Sequence, residues 1–242
     1  MKKNIFLCWF HILIISTLLS PGLIGEEFPS SLKFLDLVRR NHPVDTWSIM
    51  EGEVSHKRKG SSVITAPIKL SVRFTDTRGL TKITIGKGKT EESYTVGQPY
   101  NGDAPSIITS ANSQNNTPEL ANYGLKPEDL TMAFLYWKFE KELDKTTLKG
   151  MDCRVFLLPD PTTKEQVKVY ISSDYYYPMK AEWFKTKERE PYRTYYINSF
   201  KKVGKLWAPN SFDLCGPGWR TNVEFDKVNL GFVKEGLPKG LF

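Results

Sequence analysis

Apolar residues alternate with polar ones through most of this chain, and the alternation breaks only in a few places. Ile68, Leu70, Val72 and Phe74 interleave with Lys69, Ser71, Arg73 and Thr75, giving a strand with one dry and one wet face. Strands are likewise predicted over Trp47–Ser55, Ser61–Ala66, Thr81–Ile85 and Ser93–Val96. The C-terminal half reads as six more: MDCRVFLL, QVKVYIS, PMKAEWFK, YRTYYINSFK, KLWAPNSFDL and WRTNVEFDKVN. The connections between these six are short, which makes successive strands antiparallel neighbours.

A period near 3.6 replaces the alternation twice. Leu32, Leu35 and Val38 lie between Pro29 and Pro43 and predict a short amphipathic helix over Ser30–Arg40. Leu130, Phe134 and Trp137 share a helical face in a second predicted helix, Leu120–Lys138, with Pro127, Glu128 and Asp129 suited to a first turn. The 22 residues Gly97–Pro118 are rich in Gly, Pro, Asn and Ser and read as a long loop. Such a loop serves as a lid, with Ile107 and Ile108 folding back onto an apolar opening, or as a tolerated insertion. Together these elements predict a single α+β domain, a long antiparallel sheet carrying one or two helices.

The first 25 residues stand apart. Lys2 and Lys3 precede an apolar run from Ile5 to Leu19, and Ser20, Pro21, Gly22 and Gly25 follow it. This is the layout of a cleaved export signal, with cleavage after Gly22 or Gly25. An uncleaved anchor is the weaker reading, because a spanning helix of about 20 apolar residues would have to pass through Pro21 and Gly22. The expectation is a signal peptide at 1–25, a single domain at 26–242, and a periplasmic location.

Composition narrows the partners. The 242-residue chain carries a net charge of +7. Removing residues 1–25 leaves 32 basic against 27 acidic side chains, scattered along strand faces. A scattered excess on an exported chain argues against nucleic acid as a partner. Cys153 and Cys215 fall on strands about four apart, roughly 20 Å along a flat sheet. Free thiols are therefore expected unless the sheet curls strongly.

No catalytic constellation emerges. His42 and His56 lack metal-ligand spacing, and no H-E-x-x-H, C-x-x-C or G-x-S-x-G occurs. GKGKT at 86–90 lacks the first glycine of a phosphate loop, with Ile83 in its place, and reads as a hairpin turn. A non-enzymatic protein without cofactor or metal is expected.

The run from about Leu130 onward resembles the outer-membrane lipoprotein-sorting (LolA-like) family of exported bacterial proteins. The matching segments are the strand Gly150–Val155, the strand Val167–Ser172 before its turn, and Pro178–Lys180. Gly204–Pro209, as Gly-Lys-Leu-Trp-Ala-Pro, and Thr221–Phe225 complete the series. These are strand and turn signatures, and no arginine in the sequence can be equated with the family's latch. The resemblance implies a strongly curved antiparallel sheet, an open half-barrel with helices lining or plugging its concave face. It also implies a monomeric carrier whose concave face holds the acyl chains of lipids or lipoproteins, exchanging them with membrane-protein donors or acceptors. A sensor or scaffold module of the same fold, binding a membrane protein, is the alternative.

Alternation supplies the candidate lining of that basin: Val72, Phe74, Val169, Ile171, Met179 and Trp183. A filled core beneath the helices would show the same pattern. Tyr175, Tyr176 and Tyr177 lie in the connection after Val167–Ser172 and are expected at the rim, contacting lipid or partner or shielding the hairpin edge.

Overall fold

Strand alternation becomes a single antiparallel sheet of twelve strands in the computed structural model, which describes residues 29–40, 44–88, 91–100, 106–111, 119–163 and 165–242. The strands are β1 (Thr46–Arg58), β2 (Ile64–Phe74), β3 (Arg78–Ile85), β4 (Glu92–Pro99), β5 (Ile107–Ala111) and β6 (Lys141–Leu148). They continue as β7 (Met151–Pro159), β8 (Gln166–Ser172), β9 (Pro178–Phe184), β10 (Arg193–Val203), β11 (Leu206–Gly216) and β12 (Trp219–Phe232). Their spatial order is β5-β4-β3-β2-β1-β12-β11-β10-β9-β8-β7-β6, so two meanders are stitched together where β1 meets β12. β5 and β6 form the two edges, and the sheet does not close.

The β1–β12 seam runs from Thr46 opposite Phe232 to Arg58 opposite Trp219, with one register shift at Glu51/Gly52. Asp226 is the extra residue there, and β12 presses against β1 at Gly52. A Cβ on Gly52 would sit 1.9 Å from the Glu224 carbonyl oxygen, so only glycine fits.

Among the described residues three short helices accompany the sheet: α1 (Ser31–Arg39), α2 (Glu119–Asn122) and α3 (Pro127–Thr131), with 3-10 turns at Ala133–Tyr136 and Val233–Glu235. Helix α1 buries Phe34, Leu35 and Val38, whereas the expected Leu32 is 61% exposed. The predicted single helix over Leu120–Lys138 is instead α2, α3 and a 3-10 turn. Gly124 adopts φ +68°, Lys126 is extended ahead of Pro127, and Met132 turns left-handed at φ 51°. Each of these interrupts a continuous helix.

The predicted 97–118 loop also needs correcting. β4 runs on to Pro99, and β5 pairs Ile107–Ala111 back onto Ser93–Gly97. Residues 101–105 and 112–118 lie outside the described residues, as do His42 and the whole proposed signal segment. β2 begins at Ile64 and passes through Pro67 without a break, merging two predicted strands into one. β6, which carries Lys141, Glu142, Asp144 and Lys145, has no counterpart among the predicted strands. As an edge strand it buries little, so it lacks the alternation that reveals its neighbours.

Cys153 on β7 and Cys215 on β11 are both free, four steps apart in the strand order. Among the described residues, no helix is long and apolar enough to cross a membrane.

Candidate functional site

The inward row of each strand supplies one wall of the site, and the helices supply its cover. Met50 and Val54 on β1, Leu70 on β2 and Ile83 on β3 continue across the seam to Val223 and Phe225 on β12. Phe212, Tyr195, Val169 and Phe156 carry the apolar surface on to β7. Phe34 of α1 stacks on Phe156 at 5.6 Å, and Phe134 of the 3-10 turn meets Trp183 edge-on at 5.2 Å. Each such side chain removed from water contributes about 1.5–3 kcal/mol.

The six predicted lining residues fall as follows. Val72, Val169, Ile171 and Trp183 are buried within this core, with Phe74 half-buried against it. Met179 is buried at the start of β9. Of the six, Trp183 meets the cover directly, through Phe134.

The three tyrosines separate. Tyr175 is 60% exposed. Tyr176, at φ 53°, turns inward to lie 5.2 Å from the Phe34 ring. Tyr177 meets Phe200 edge-on at 4.8 Å and donates its hydroxyl to the Met132 sulfur at 3.8 Å. Burial pushes the Tyr177 phenol well above its ordinary pKa, so the ring is neutral.

Polar clips hold the cover. Arg154 shares the inward row of β7 with Phe156 and Leu158. Its Nε and Nη2 grip the two oxygens of Glu142 at 2.7 and 2.5 Å, and Nη1 donates to the Pro29 carbonyl at 2.7 Å. Ser31, the first residue of α1, donates to the same carboxylate at 2.6 Å. The guanidinium lies 4.4 Å above the Phe34 ring, a cation–π contact that seats α1 further. Hydrogen bonding from Arg154 holds the Glu142 carboxyl below its usual range, against the opposing effect of burial.

At the far end of α1, Arg39 donates to the carbonyls of Leu135 and Trp137 at 2.8 and 2.6 Å, and Tyr136 returns a hydroxyl to the Arg39 carbonyl at 3.1 Å. Arg193, on the inward row of β10, ion-pairs with Asp129 of α3 and donates to the Gly124 carbonyl at 3.0 Å. Asp129 also accepts the Lys126 amide at 2.7 Å. It therefore does more than favour the helix start: it is the buried counter-ion of Arg193, whose Nε has no hydrogen-bond partner among the described residues.

Gly124 sits where the cover meets the sheet end. A Cβ there would approach His56 and Trp219 at 3.3 Å, and its φ of +68° suits glycine alone. Next to it, Thr221 donates to the Tyr123 carbonyl at 2.5 Å, so His56 Nδ1 donates to Thr221 at 2.8 Å. His56 Nε2 is then the acceptor for Arg58 Nε at 3.2 Å. Burial, and then Arg58, lower the His56 pKa and keep the ring neutral. An open cleft of about 660 Å³ adjoins this relay, lined by His56, Arg58, Ser61, Thr65, Asn122 and Tyr123. Among the described residues no His, Cys, Asp and Glu side chains group as metal ligands.

Arg39, Arg154, Arg193, Glu142 and Asp129 did not emerge as site residues from the sequence. A signal existed for two of them: Arg154 and Arg193 share the parity of the apolar residues on their strands, where alternation calls for a hydrophobic side chain.

The arrangement is that of an open half-barrel with a clipped helical cover, the LolA-type fold. Its structural neighbours include a DUF1329 family protein from Desulfovibrio piger, 14% identical, with a TM-score of 0.67 over 86% of this chain and 94% of that one. A domain from Vibrio parahaemolyticus assigned to outer membrane lipoprotein sorting gives 13% identity, a TM-score of 0.67 and the same coverage. A LolA superfamily protein from Nitrosomonas europaea gives 15%, 0.52, and 87% and 94% coverage. At these identities the likeness establishes the fold. No family model and no curated protein matches the sequence.

Proposed function

We propose that this protein is an exported, non-enzymatic binder of acyl chains, from lipids or lipoproteins, with a carrier role in lipoprotein sorting in the periplasm. One observation carries the reading: a continuous apolar concave surface lies under a cover fastened by arginine clips. Moving the cover exposes a dry trough, and each buried methylene of a guest contributes about 0.8 kcal/mol without any reactive group. Val72, Phe74, Val169, Ile171, Met179 and Trp183 are the proposed lining, and the tyrosines at 175–177 the proposed lip. Residues 1–25 are the proposed export signal. Organic extraction of the mature protein followed by lipid mass spectrometry tests the reading. Recovered acyl lipids support it, and a Trp183→Asp variant that folds should lose binding of a fluorescent fatty acid. Unchanged probe binding in that variant would remove the trough assignment.

The close packing of α1 and the 3-10 turn on the sheet favours a second reading, a sensor or scaffold module that binds a membrane protein through its outside. A lipid-free protein that captures a membrane protein while ignoring fatty-acid probes would favour it.

A further inference from the structure

The β10–β11 hairpin continues beyond the last pairs it makes with its neighbours. β9 pairs with β10 only as far as Tyr196, and β12 pairs with β11 only from Ser211 onward. β10 and β11 nevertheless continue to pair with each other up to Val203 opposite Leu206. Residues 198–210 therefore form a two-stranded arm that pairs with no further strand among the described residues, although β12 continues beside it and meets Lys201 at Asp226. Two register shifts, at Ile197/Ser199 and Ser199/Phe200, lie at its base. Such irregularities re-aim a hairpin relative to its sheet.

The arm's side chains divide by exposure. Phe200, Val203 and Ala208 pack against the core, with Phe200 against Tyr177. Lys202 and Trp207, which share the row of Phe200 and Pro209, are exposed, as is Lys205 in the turn, and Trp207 is 57% exposed. Lys202 Nζ lies 5.5 Å from the Trp207 ring. Lys201 is half-buried and donates to the Asp226 carbonyl at 3.1 Å, which leaves its charge uncompensated by a carboxylate there. Between Asn198 and Asn210 there are three lysines and no acidic residue.

We propose that this arm docks the protein onto an anionic phospholipid surface. Lysines alone would serve any acidic partner. The exposed indole beside them narrows the choice, because its apolar body and N–H tip suit the headgroup boundary of a bilayer. Lysine stems can lie along that boundary while the ammonium groups reach the phosphates. The proposal does not rest on acyl-chain binding in the trough, since Lys202, Lys205 and Trp207 are exposed and none of them is among the proposed lining.

Vesicle pelleting tests it, with the mature protein against phosphatidylcholine vesicles with and without phosphatidylglycerol. The expected result is binding to the phosphatidylglycerol vesicles alone, lost as salt is raised, with a blue shift of tryptophan emission. Lys202→Gln with Lys205→Gln should weaken binding by about thirtyfold. Trp207→Ser should abolish the blue shift. Lys57→Gln with Lys59→Gln, an equal charge change at the other end of β1, should bind nearly as wild type. Three results would each overturn the proposal: no binding by the wild type, equal binding to neutral vesicles, or an arm variant no weaker than the Lys57/Lys59 control. All these side chains are on the surface, so unchanged melting temperatures are expected and confirm that folding is intact.

Discussion

Arg193 and Asp129 are each almost fully buried, and each is the other's only charged partner among the contacts described. Truncating one of them leaves an uncompensated charge in the core. Arg193→Ala should therefore cost about 3–5 kcal/mol in urea unfolding, while an added Asp129→Asn should recover part of the loss. Acid should act on a neighbouring part of the cover. Glu142 has a folded pKa below its unfolded value, so its contribution is complete above the unfolded range near 4.5 and is lost as pH falls through the folded value. His56 is also lowered, from 6.5, and works in the same direction: its contribution is full above about 6.5 and declines below it. Stability should consequently rise with pH in two steps. Glu142→Gln should reduce the lower step, which Asp160 and Asp213 share, and His56→Gln should reduce the upper one, as read from urea midpoints across pH.

At the scale of elements, the strands with one wet face were legible because alternation survives wherever one side of the sheet is buried. Five of the six C-terminal strands sit within two residues of their predicted bounds, and the last, β12, runs three residues further, to Phe232. β6 was hidden because an edge strand with Lys141, Glu142, Asp144 and Lys145 has no dry side to betray it. The cover was misread as one helix because Leu130, Phe134 and Trp137 keep a helical spacing across a left-handed break at Met132. The arginines went unnoticed for a related reason: periodicity reports which face a residue occupies, not whether it finds a counter-ion there. Two predictions belong here. Gly52→Ala should destabilise by about 2–3 kcal/mol, since the bulge leaves no room for a methyl group and the β1–β12 seam must shift. In hydrogen exchange, amides of α2 and α3 should exchange well before those of β1 and β12, because four- and five-residue helices rest on a few clips while the seam is paired over its whole length.

The whole molecule is an open sheet stabilised by what lies across it, so opening the cover and filling the trough are competing uses of one surface. If the trough is a binding site, the free protein must leave the clipped state before a guest enters, and its apparent affinity is reduced by the fraction that is open. Arg154 and Arg193 fasten the two ends of the cover to the sheet through charge-assisted hydrogen bonds, each contributing about 1.5–3 kcal/mol. Replacing either by methionine keeps the volume and the apolar character of the inward row while removing the clip. Arg154→Met, which frees α1 while Glu142 stays partly exposed, is the cleaner variant. It should bind a fluorescent fatty acid about tenfold more tightly than the wild type, and faster, with the native circular dichroism spectrum retained. A packed core that never opens predicts the opposite: lower stability, and no gain in probe binding at any concentration.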